Sequence, residues 1–98
     1  MSVDRSFFKQ ELPSVWEKWR GFVNEVFKDG ALSMKTKELI AVGLAIAIKS
    51  KPCLRIHLKK AMDLGVTRKE IAEILSVAVD ICGCPCWADE AINQIYET

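Results

Sequence analysis

The 98 residues, half of them apolar and about a quarter charged, suit one folded domain spanning residues 1–98 and exclude a disordered chain. A formal net charge of +1 argues against a dedicated nucleic-acid binder, which would carry a strongly basic face. The longest apolar run, Leu39 to Ile48, is about half the roughly 20 residues that a membrane-spanning helix needs, so no membrane partner is expected. The opening "MSVDRSFFKQELP" has no apolar core of a secretory leader. Four cysteines without an export signal then point to free thiols in a reducing cytoplasm, where catalysis or metal binding outranks a disulfide framework.

Every element reads as helix. Pro13 suits a helix start, and Leu12, Val15, Trp16, Trp19, Val23, Val26 and Phe27 recur at helical spacing until Asp29-Gly30 ends the element. Trp16 and Trp19, one turn apart on that stripe, read as core or subunit contact rather than as a ligand platform. Ser33 is a candidate N-cap for a second helix from about Met34 to Ser50. Its middle, "LIAVGLAIAI", is apolar on nearly every face and so must be enclosed. A chain this short has few neighbours to enclose it, which predicts a homo-oligomer. Pro52 fits the first turn of a third helix ending at Gly65, a natural left-handed C-terminal position. Thr67 and Glu70 form a capping box that opens a fourth helix, with a core face of Ile71, Ile74, Leu75, Ala78 and Val79. "CGCPC" interrupts it, and Pro85 begins a short fifth helix through Trp87, Ala91, Ile92 and Ile95. The expectation is an all-α fold of about five helices, and the basic stretch from Arg55 to Lys60 reads as a solvated helix face.

One short stretch carries chemistry. In "SKPCLRIH", Cys53 falls in the first turn of a helix, where unpaired amides and the helix dipole favour an anion and hence the reactive thiolate. His57 is four residues on, on the same face, and a neutral imidazole there can take the thiol proton. Glu38, near the start of the preceding helix, can reach across and orient the histidine. The plain alternative is a buried cysteine and a packed histidine.

The run "KTKELIAVGLAIAIKSKPCLRIHLKKAMDLGVTRKEIAEILSVAVDICGCP", Lys35 to Pro85, resembles the carboxymuconolactone decarboxylase / alkylhydroperoxidase-D-like family in order and spacing. The resemblance covers about half the chain. It implies an all-helical domain assembled into trimers or hexamers, with no cofactor. In alkylhydroperoxidase-like members the second Cys of a C-x-x-C pair attacks the peroxide, a His and a Glu relay protons, and the first Cys resolves the sulfenic acid. Carried across, Cys53 is the candidate peroxidatic thiol, His57 its base and Glu38 the relay acid. Ser50 stands where the family has the first Cys; its hydroxyl can support a thiolate by a hydrogen bond, but it cannot form a disulfide. An external thiol reductant, or Cys82, Cys84 or Cys86 as resolving partner, would have to complete a redox cycle.

Those three cysteines surround the Gly83-Pro85 break. Their first reading is as small buried thiols; zinc or iron–sulfur ligation is a further alternative, but C-x-C-x-C lacks the paired C-x-x-C knuckles that mark such sites, and no metal is assigned. Asp80, in the apolar run "LSVAVDICG", reads as satisfied by backbone amides or by a basic side chain. Three function classes follow. The first is reduction of hydroperoxides through Cys53. The second is a decarboxylase-like lyase acting on a lactone acid, with His57 as acid–base and Arg55 or Lys59 as the carboxylate's counterion. The third is a non-catalytic metal-binding or scaffold protein.

Overall fold

The computed structural model describes residues 5–83 and 85–97, so Cys84 lies outside the described residues. The helices are α1 (Ser6–Glu11), α2 (Pro13–Val26), α3 (Met34–Ala47), α4 (Lys51–Asp63), α5 (Arg68–Cys82) and α6 (Cys86–Glu97). The fold is all-α, with no strand among the described residues.

Local chemistry sets most of the boundaries. The Ser33 hydroxyl accepts the amide of Thr36, and Asp29 Oδ1 accepts that of Met34, so two of the unpaired amides opening α3 are satisfied. Thr67 and Glu70 form the expected reciprocal capping box at the start of α5. Gly65, at φ 86°, ends α4 in the left-handed conformation. Its amide and that of Val66 bond back to Met62 and Ala61, which drops Val66 into the core. Gly83, at φ 84°, turns the chain out of α5.

The core is built on α3 and α4. Val42, Ala45 and Ile46 from α3 meet Leu54, Leu58 and Ala61 from α4, each almost wholly removed from solvent. Ile71 and Ala78 of α5, and Ala88, Ala91, Ile92 and Ile95 of α6, close the remaining sides. Each large side chain buried here contributes about 1.5–3 kcal/mol.

The structure departs from the sequence-based expectation of the helices in three places. A short helix, α1, precedes Pro13, so there are six helices where about five were expected. The helix predicted to reach Ser50 ends at Ala47. Val79 is exposed, because the core-facing stripe of α5 runs through Ile71, Ile74, Leu75 and Ala78 and leaves Val79 beside it. As the shortness of the chain led one to expect, α3 is not enclosed by its own chain: Leu44 is 60% and Ile48 69% exposed, and Ile81 of α5 76%. Leu39, Ile40, Leu44, Ile74, Val77 and Ile81 line an apolar groove between the two helices.

Candidate functional site

The turn between α3 and α4 builds the site. Lys49 adopts φ 60°, a left-handed conformation uncommon for a residue with a side chain. Its amide bonds to Ile46 O at 3.1 Å and that of Ser50 to Ala45 O at 2.9 Å, the paired bonds of a Schellman C-cap. Ser50 then opens the next helix, its hydroxyl accepting the Cys53 amide at 3.3 Å. Ser50 therefore serves the backbone twice. The sequence suggested a hydroxyl donating to the sulfur; the contact the structure gives is its oxygen accepting from the main-chain N–H of Cys53. Pro52 occupies a first-turn position that needs no amide, and Cys53 follows, half-buried and packed against the core.

One turn along α4, His57 Nδ1–H donates to Glu38 Oε1 at 2.7 Å. Glu38 is 3% exposed and is the buried charged side chain of an otherwise apolar core, so its carboxylate depends on that histidine for compensation. With Nδ1 committed to the carboxylate, Nε2 of a neutral ring is the proton acceptor. The ring of Phe27, the residue that caps the end of α2, stacks on the imidazole at 5.4 Å between centroids and 22° between planes. Lys37 fixes that end of α2, its ammonium donating to Val26 O at 2.9 Å and Lys28 O at 2.6 Å. Neighbouring residues of α3 thus hold the histidine from two sides: Glu38 directly, and Lys37 by way of Phe27.

Cys53 and His57 open together onto a cavity of about 510 Å³ between α1, α2 and α4. Trp16, Trp19 and Phe27 form its aromatic wall. Trp16 and Trp19 thus face the candidate site, not the core; no residue of α2 is fully buried. Arg5 and Arg20 lie over the ring of Trp19, with guanidinium carbons 4.6 and 5.6 Å from its centroid. A neighbouring recess of about 420 Å³ reaches Glu38 between Phe27, Met34 and Leu64.

The structure therefore brings Cys53, His57, Glu38 and Ser50 to one place. It does not bring the described cysteines of the second group there. Cys82 and Cys86 are both exposed, Cys82 along the apolar groove between α3 and α5 and Cys86 at the start of α6, so these two are not the buried thiols expected, and neither lines the Cys53 cavity. Among the described residues no three His, Cys, Asp or Glu side chains stand close enough to share a metal ion. Asp80 is exposed on α5, with no hydrogen bond or ion pair to a described backbone amide or basic side chain, contrary to the expectation. Arg55 lines a different recess beside α6, and Lys59 is exposed, so neither supplies the counterion expected of a lyase. Lys60 is on the cavity instead. It follows Cys53 and His57 at helical spacing, a signal the sequence carried but the solvated-face reading passed over.

No helix among the described residues is long and apolar enough to cross a membrane. The chain is 32% identical over 85 residues to an uncharacterised protein of Cupriavidus necator, spanning 85% of this chain and 75% of that one. An uncharacterised protein of Methanocaldococcus jannaschii is 31% identical over 79% of this chain and 75% of its own length. Among solved structures, a carboxymuconolactone decarboxylase family protein from Legionella pneumophila, in its apo form, superposes with a TM-score of 0.85 at 36% identity. That match covers 94% of this chain and 84% of the other. A protein from Methanobacterium thermoautotrophicum superposes with a TM-score of 0.70 at 33% identity, covering 92% and 96% of the two chains. The model of the Carboxymuconolactone decarboxylase family matches residues 13–94, a span that takes in Glu38, Cys53 and His57, α2 to α5 and most of α6. With the helical order, the buried Glu–His pair and these matches in agreement, the chain belongs to the carboxymuconolactone decarboxylase family.

Proposed function

We propose that this protein is a thiol-dependent peroxidase in which Cys53 attacks a hydroperoxide and the His57–Glu38 pair moves the proton. The observation that carries this reading is the 2.7 Å contact between His57 Nδ1 and the buried Glu38 carboxylate, on the wall of the cavity onto which Cys53 opens. The contact leaves Nε2 to take the Cys53 proton. The thiolate sulfur then attacks the distal peroxide oxygen, the O–O bond breaks, and the departing alkoxide takes the proton from His57. Cys53 is left as sulfenic acid and an alcohol is released. Cys53 Sγ and His57 make no hydrogen bond in the resting structure. They lie one turn apart, a gap that the hydroxyl of an entering hydroperoxide bridges.

The reading includes a homo-oligomer built from a one-domain protomer. The chain exposes 6780 Å², against roughly 5,600 Å² for a compact monomer of its mass. Its radius of gyration is 14.5 Å, against about 12.6 Å for a compact domain of this length. The apolar groove between α3 and α5 is the surface such an assembly would cover.

The test is intact-mass analysis after one equivalent of hydroperoxide, with a sulfenate-trapping reagent present and the modified peptide mapped. A trapped adduct on Cys53 is the expected result. An unreacted Cys53 would overturn the peroxidase. The cations beside His57 favour a second reading, a lyase acting on a carboxylate substrate with His57 as acid–base. A Cys53→Ser variant that still turns over a lactone acid would select it.

A further inference from the structure

The cavity over Cys53 has a charge its chemistry does not require. Arg5 and Lys9 reach it from the start of the chain, Arg20 from α2 and Lys60 from α4, and no carboxylate lines it. None of the four is in an ion pair with a described carboxylate; the ion pairs join Lys28 to Glu25, Lys35 to Glu70 and His57 to Glu38. Four cations in no ion pair with a described carboxylate repel one another around one mouth, and a shared anion relieves that repulsion. The rings of Trp16 and Trp19 supply a flat apolar wall beside them. Arg5 and Lys9 lie outside the residues matched by the family model, so half of this charge is carried by a segment of this chain beyond that match.

A thiol peroxidase with Ser50 in place of a neighbouring cysteine needs its second electron pair from elsewhere. Neither described cysteine of the second group, Cys82 or Cys86, lines this cavity, and a donor entering from solvent passes the four cations. We infer that the reductant of Cys53 is a small anionic thiol, one bearing a carboxylate or phosphate, admitted by Arg5, Lys9, Arg20 and Lys60. The inference rests on the peroxidase reading for the direction of electron flow, while the charge selection stands on the cavity itself. The first thiol condenses with the Cys53 sulfenic acid, forming a mixed disulfide and releasing water. A second thiol gives its proton to His57 and, as thiolate, attacks the sulfur of the bound small molecule, so that the small disulfide leaves and Cys53 returns as thiolate, which His57 reprotonates.

The experiment separates the two claims by needing no peroxide. The reduced protein is exposed to dithiodipropionate, hydroxyethyl disulfide and cystamine, which are anionic, neutral and cationic. The rate at which a mixed disulfide forms on Cys53 is followed by peptide mass and divided by the rate on free cysteine. The normalised rate is expected to fall from anion to neutral to cation, with anion over cation at least roughly tenfold. That ratio should shrink in about 0.5 M salt and in a Lys9→Gln/Arg20→Gln variant. A ratio no different from free cysteine, or one unmoved in the double variant, overturns the inference. In the peroxide-treated protein, a disulfide from Cys53 to Cys82, Cys84 or Cys86 that forms ahead of the anionic-thiol adduct also overturns it. Failure to form sulfenic acid, with the charge ranking intact, removes the peroxidase instead.

Discussion

Glu38 and Ser50 carry most of the consequences at the scale of single residues. Glu38 is buried with one partner, so Glu38→Ala strands the histidine and opens a hole in the core, and should cost about 3 kcal/mol in urea unfolding. Glu38→Gln keeps an acceptor of the same shape and should cost clearly less. His57→Ala should slow Cys53 oxidation by about 10²–10⁴-fold, read from single-turnover sulfenate trapping. An unchanged rate would remove the proton relay. Phe27→Ala should cost about 1 kcal/mol from the lost ring stack and should also lower the oxidation rate, because the imidazole loses one of its two supports. The Cys–His–Glu set was readable in the sequence because Cys53 and His57 share one helix and Glu38 lies near the start of the preceding one, an arrangement the resemblance repeats. The backbone duty of Ser50 was not readable, since a serine beside a cysteine suggests a side-chain contact until the turn is seen. The cations of the cavity were hidden for a different reason: they come from three helices, and nothing linear joins Arg5 to Lys60.

Among the elements, the ends of the helices decide where the chemistry sits. The α3–α4 turn bends through Lys49 at φ 60°, a conformation that costs a residue with a Cβ about 1 kcal/mol. Lys49→Gly should relieve that, less what glycine adds to unfolded-state entropy, for a small net gain in thermal stability without loss of Cys53 reactivity. Lys37→Met removes the ammonium that ties the end of α2 to α3, and should loosen Phe27 and with it His57; a lower melting temperature together with slower Cys53 oxidation checks this. The capping box sets a pH dependence. The backbone amide of Thr67 holds the Glu70 carboxyl below its ordinary value, helped by Lys35 and opposed by partial burial. A depressed carboxyl stabilises the fold above its unfolded-state pKa, and the effect is lost as pH falls through the lower folded value. Acid titration of stability below about pH 4.5 should therefore be shallower in Glu70→Gln than in the parent chain. These caps at Ser33, Gly65 and Thr67 were legible because each is a bargain struck within four residues. The first helix, α1, was not, because its six residues have no side-chain cap and no buried face to give a period.

For the whole molecule, the open face of α3 is the informative feature. An apolar run such as "LIAVGLAIAI" shows that a helix is to be enclosed, and the protomer leaves Leu44 and Ile48 in solvent. Periodicity says which residues avoid water, not which chain will cover them. The same limit explains Trp16 and Trp19: an apolar stripe on α2 looks alike whether it seals a core or walls a cavity. The proposed assembly is tested by sedimentation of the parent chain beside Leu44→Glu/Ile81→Glu. The parent should sediment as a multiple of the 11.0 kDa protomer, and the charged variant should dissociate towards it.

The account stands or falls on whether Cys53 is an activated nucleophile. Its alkylation rate by iodoacetamide at neutral pH, mapped to the Cys53 peptide and compared with free cysteine, measures this directly. The prediction is a rate at least roughly tenfold above free cysteine, falling towards it in His57→Ala. A Cys53 no faster than free cysteine in the parent chain would contradict the account.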